Sequence, residues 1–222
     1  MNIAVIQLLV LAGIALFLIL RLRSVLGTRE GFEKPPAPAP SANDEASQAR
    51  KGFEVIEGGA DRDIVDHVDE GSDSADALAR MKGVEPGFSV SEFLQGSRAA
   101  YEMILMAFEN GELDEVRGLL GEDVEQTFVD VVAAREDQGL RIEANFVGVR
   151  EVSLIEATFG KDTSAAEITV RFTGELTSVV KDSENRIVEG DPSEIKRQRD
   201  VWTFARTMGT GDPNWQLVAT GG

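Results

Sequence analysis

At 222 residues the chain has room for one domain of ordinary size with extensions. A formal charge of −17 and a pI near 4.5 exclude a general affinity for nucleic acid, whose phosphates need a lysine and arginine footprint. With no cysteine, disulfides, thiol catalysis and cysteine-ligated metal are excluded as well.

Ile3 to Leu20 is almost wholly apolar, with Gln7 the one strongly polar member. Roughly 18 residues at about 1.5 Å each span about 27 Å, enough for a bilayer core. A cleaved leader needs a basic start, a shorter apolar run and a small-x-small cleavage site. Met1-Asn2 and the directly following Arg21-Leu22-Arg23 do not fit that pattern, so residues 1–27 read as an uncleaved anchor with a basic flank. Arg21, Arg23, Arg29 and Lys34 all follow the span and none precedes it, which places the rest of the chain on the cytoplasmic side.

Residues 28–87 read as a flexible tether. Pro35-Pro36-Ala37-Pro38-Ala39-Pro40 favours extended polyproline conformation. The acidic run from Asp61 to Asp76 offers few large apolar groups to offset its ordering entropy. Two interruptions stand out: a small amphipathic patch at Phe53, Val55 and Ile56, and a short helix between Ser74 and Gly83. His67, the single histidine, falls in this tether and reads as solvated.

Residues 88–222 form the folded domain. Ser89 and Glu92 make a capping box, Phe88 and Phe93 a hydrophobic staple, and Gly111 a left-handed stop. Between them Phe93, Tyr101, Ile104, Leu105 and Phe108 recur at helical spacing. A second short helix from Glu112 to Leu120 buries Leu113, Val116, Leu119 and Leu120. A third carries Val124, Phe128, Val131 and Val132 on one stripe and stops at Gly139. The period then changes to two. Strands are predicted at Arg141–Phe146, Ala166–Leu176, Arg199–Arg206 and Trp215–Thr220, with Ile168, Val170, Phe172 and Leu176 facing inward on the second. The fold class is α+β: helices on one face of a curved, four-stranded antiparallel sheet.

Phe93–Tyr101, Ala107–Leu113, Ile168–Phe172, Asp200–Arg206 and Asp212–Thr220, in that order, resemble the Tim44-like domain. With the anchor and proline-rich stretch, the resemblance is to the membrane-anchored TimA-type branch of alphaproteobacteria. It implies a bent-sheet fold related to the cystatin and nuclear-transport-factor group. It also implies a non-enzymatic inner-membrane adaptor that works with membrane or translocation proteins, with an apolar cavity for lipid acyl chains. The long basic N-terminal region of the mitochondrial members is missing, so a chaperone-recruiting role does not transfer.

Tyr101, Phe108, Phe172, Trp202, Phe204 and Trp215 are the candidate apolar pocket, although a helix-on-sheet core needs large apolar residues there in any case. Lys196, Arg197 and Arg199 are the candidate patch for an acidic partner or an anionic lipid headgroup such as cardiolipin. The alternative for that patch is ion pairing with Glu189, Asp191, Glu194 and Asp200. No cofactor, metal or catalytic residue is expected. A small enzyme of the bent-sheet group needs an Asp or His base deep in an apolar cone; this domain has no histidine, and its predicted inward strand positions carry no carboxylate. A generic tethered interaction module is the other alternative.

Overall fold

The computed structural model describes residues 61–221. The predicted anchor with Arg21 and Arg23, the polyproline stretch and the Phe53–Ile56 patch lie outside them. Among the described residues, no helix is long and apolar enough to cross a membrane.

Helices α1 (Arg62–Val65), α2 (Asp73–Val84), α3 (Val90–Asn110) and α4 (Glu122–Asp137) precede the sheet, with a 3-10 helix, Leu113–Leu119, between α3 and α4. Strands β1 (Arg141–Phe159), β2 (Ala165–Lys181), β3 (Ile187–Gly190), β4 (Lys196–Thr207) and β5 (Gln216–Gly221) form one antiparallel sheet in the order β1-β2-β4-β5. β3 pairs with β2 at Val179–Lys181, beyond the stretch of β2 that β4 occupies. The α+β class therefore stands with five strands instead of four. Ile187-Val188-Glu189-Gly190 is exposed along its length and alternates no apolar face, so it carries no period-two signal.

The expectation that Asp61–Gly87 is tether is corrected. Ile64, Leu78 and Met81 are buried in the common core. Polar residues of the run serve as caps: Asp61 caps α1 by accepting from the Asp63 N–H at 3.0 Å, and Ser72 caps α2 by accepting from the Ala75 N–H at 3.2 Å. Ser74, the expected cap, instead accepts from the Ala157 N–H of β1 at 3.0 Å.

That contact is one of three that close the outer edge of β1. Arg98 donates to the Val149 carbonyl at 3.0 Å, and Asn110 accepts from the Ala144 N–H at 3.3 Å. Register shifts at Phe146/Gly148, Val149/Glu151 and Leu154/Glu156 bend the same strand. A 19-residue edge strand would otherwise template pairing with another chain.

α3 crosses the inner face of the sheet. Ser89 accepts from the Glu92 N–H at 3.3 Å, and Gly111 ends the helix at φ 78. The first-turn N–H groups of α3 find an acceptor outside the capping box: Asp63 accepts from Val90 N–H at 2.7 Å, Ser91 N–H at 2.9 Å and the Ser89 hydroxyl at 3.1 Å. Phe88 and Phe93 both close on Trp215, at ring separations of 6.0 and 4.8 Å. The expected helix at Glu112–Leu120 is the 3-10 turn, and Val131, placed on the buried stripe of the third helix, is exposed.

Candidate functional site

The six candidate pocket residues divide into three groups. Tyr101 and Phe172 are fully buried and stacked, 4.5 Å apart and 11° from parallel, and Trp202 lies 4.7 Å from Tyr101. Side chains pack that space closely. Phe108 sits away from them, against Phe128 at 4.4 Å and beneath the Arg135 guanidinium at 5.0 Å. Phe204 and Trp215 line an open groove.

The Tyr101 hydroxyl donates to Asp200 at 2.5 Å, and Gln198 donates to the same carboxylate at 2.8 Å. Burial pushes the phenol well above its ordinary range, and the Asp200 charge adds to that. Burial also pushes the Glu109 carboxyl up, against the pull of Arg135 and Lys196, with Asp200 adding to the rise. Neither Glu109 nor Asp200 lines the groove beside α3 or the hollow beside His67. Gly174 lies directly over the ring: a β-carbon there would sit 2.6 Å from the Tyr101 oxygen and 3.0 Å from Cε1. Gly174→Ala is expected to destabilise the domain by about 1–3 kcal/mol through overpacking, read as a lower urea midpoint with an unchanged slope.

The candidate basic patch does not form one surface. Lys196 faces Leu176 on the helix side of the sheet, whereas Arg197 and Arg199 face Glu175 and Thr173 on the other. The ion-pairing alternative placed Arg197 against its sequence neighbours, but its partner is Glu175 on β2. Arg197 and Arg150 reach that carboxylate at 2.9 and 2.7 Å, and the Glu175 side chain is only 7% exposed. Their hydrogen bonds outweigh desolvation and hold the Glu175 carboxyl below its ordinary value.

The groove has a volume of about 880 Å³. The N-terminal half of α3, the α2–α3 turn and the β4–β5 turn enclose it. Phe88, Phe93 and Trp215 form its aromatic side; Gly96, Ser97 and Ala100 keep the α3 side shallow; Met103, half exposed, stands at its end. Arg206 is its cation. Only 9% of that side chain is exposed, and its guanidinium carbon lies 5.2 Å from the Trp215 ring centre. Arg206 pairs with Glu85, which also accepts from the Gly209 N–H at 2.6 Å, and donates to the Asp212 carbonyl at 3.2 Å. Its Nε–H is shut off from solvent without a partner. Sequence reading missed Glu85 because it sat in the supposed tether.

A second hollow, about 670 Å³, lies between the α1–α2 loop and Leu154–Ile155, and His67 is on its wall, 3.1 Å from the Ser91 hydroxyl. Among the described residues no cluster of His, Asp and Glu has metal-binding geometry.

Residues 74–222 match the Tim44-like domain. The chain belongs to the Tim44-like domain family. It is 24% identical over 150 residues to the mitochondrial import inner membrane translocase subunit TIM44 of Homo sapiens, and 22% identical over 151 residues to that of Mus musculus. Each alignment covers 66% of this chain and 33% of the relative, so the chain spans a third of the length of these proteins. Among solved structures, the intermembrane space region of the chloroplast protein ARC6 aligns with 65% of this chain and 94% of that one, at 13% identity and a TM-score of 0.34. Both the open groove and the Tyr101 core fall within the Tim44-like match.

Proposed function

We propose that this Tim44-like protein is a non-enzymatic adaptor of the TimA type. An N-terminal span holds it at a bacterial inner membrane with its folded domain in the cytoplasm, where it assists the translocation or assembly of membrane proteins. One observation carries the reading: the Tim44-like domain presents an open groove walled by Phe88, Phe93 and Trp215. A groove of this kind docks a partner's apolar segment instead of transforming a substrate.

The test is photo-crosslinking from Met103, whose exposed side chain tolerates a benzophenone residue. Crosslinks from native membranes are expected to concentrate on membrane or translocation proteins. Recovery of soluble metabolic proteins alone would leave a generic tethered module as the better description.

Acyl-chain binding is the second reading, favoured by the apolar lining of this same groove. It requires delipidated protein to bind an acyl-chain probe, and cardiolipin to raise its melting temperature.

A further inference from the structure

Two features would ordinarily draw an anion to the groove, and both are already neutralised from within. The N-terminus of α3 borders it through Ser89 and Glu92. A helix N-terminus with free N–H groups attracts anions, but here Asp63 accepts from Val90, Ser91 and Ser89. Arg206, the groove's cation, is paired with Glu85. What remains outward is acidic: Glu92 is exposed and ion-pairs with nothing among the described residues, and Asp212 stands on the opposite wall.

We propose that the groove is the docking site for an apolar peptide segment flanked by basic side chains, and that it rejects anionic amphiphiles. Aromatic and aliphatic side chains of the segment fill the space between Trp215 and Met103. Its flanking lysine or arginine meets Glu92 and Asp212. A carboxylate or a phosphate would have to share a guanidinium that Glu85 already holds. The rim charges act mainly on encounter and choice of partner, while the buried aromatic contacts set how long it stays. The inference rests on the groove being the docking site of the proposed adaptor, and it names the chemistry of what docks.

The test uses the full chain in phosphatidylcholine nanodiscs, so that the bilayer carries no net charge. Three probes are compared by fluorescence anisotropy or competition: a dansylated, end-blocked Lys-Leu-Leu-Phe-Leu-Lys peptide, the same peptide with glutamates at both ends, and dodecanoate. The basic peptide is expected to bind about tenfold tighter than either anion, since two exposed rim contacts, attractive for one probe and repulsive for the others, together approach that factor. Met103→Arg, a change at an exposed position, is expected to weaken the basic peptide. The double variant Glu92→Lys, Asp212→Lys is expected to reverse the preference between the peptides. Glu85→Gln frees Arg206 and is expected to raise dodecanoate affinity. Equal or tighter binding of the acidic peptide overturns the proposal, as does no binding of the basic one, or binding indifferent to Met103→Arg. Tighter binding of dodecanoate by the unmodified chain overturns it in favour of the acyl-chain reading. Failure of the adaptor reading shows separately: the peptide preference holds, yet crosslinking from Met103 recovers no membrane or translocation protein.

Discussion

Tyr101→Ala is expected to cost about 3–5 kcal/mol of domain stability, the range for removing a large buried ring. At roughly 2–4 °C per kcal/mol for a domain of this size, the melting temperature falls by roughly 6–20 °C. The reason is position. Tyr101 is fully buried, stacks on Phe172, packs on Trp202 and Phe146, and lies under Gly174, so the helix α3 and strands β1, β2 and β4 all close on one ring. The surrounding rings are anchored on the sheet and cannot collapse into the space. Tyr101→Phe separates ring from hydroxyl. It removes the bond to Asp200 while Gln198 still donates to that carboxylate, so about 1 kcal/mol is expected. Thermal and urea unfolding of both variants check the pair. If Tyr101→Ala melts within about 2 °C of the parent, the stacked cluster is not the keystone of the core.

The elements that a local signal specifies were legible in the sequence. Ser89 and Gly111 bracket α3 because capping acts within a turn of the helix. Ile168, Val170, Phe172 and Leu176 are buried as the period of two requires. What failed was what depends on distant partners. Composition made Asp61–Asp76 look unable to order itself, and by itself that run buries little. Its order comes from Leu78 and Met81 joining a core built by α3 and β1, and from Asp63 capping a helix 27 positions away.

The candidate site was half legible for the same reason. Large aromatics announce burial, but not whether they pack against each other or leave a gap. Tyr101, Phe172 and Trp202 pack; Trp215, two residues after Pro213 in an irregular turn, leaves the groove. Lys196, Arg197 and Arg199 looked like one patch because sequence proximity hides strand parity. Adjacent residues of β4 face opposite sides, and Arg197 finds Glu175 across the ladder.

Asp63 is the place where the missed segment meets the predicted one, and its loss is expected to release α1 and α2 while leaving the sheet intact. Its carboxylate takes two backbone N–H bonds and one hydroxyl bond from the start of α3, and Lys82 of α2 contacts it at 2.7 Å. Asp63→Ala removes a charged cap and leaves the Val90 and Ser91 N–H groups without it, a loss of about 2–3 kcal/mol by the usual worth of charge-assisted bonds. Hydrogen exchange is expected to speed up across 62–84 far more than in β2 and β4, because the sheet keeps its own core. The pH dependence has a definite sign. Burial pushes the carboxyl up, but Lys82 and the N–H groups of Ser91 and Val90 outweigh it and hold it well below the usual carboxylate range. A carboxyl lower in the folded state than in the unfolded one stabilises fully above about pH 4, and this contribution fades as pH falls further. Protection of α1 and α2 should therefore drop on acidification below about pH 4 in the parent, and Asp63→Asn, already without the charge, should show a shallower drop. Since Val84, Glu85, Gly87 and Phe88 form one wall of the groove, the same variant is expected to loosen that wall. Binding at the groove that is unchanged when 62–84 exchange freely would mean the wall is held by Glu85 and Arg206 alone.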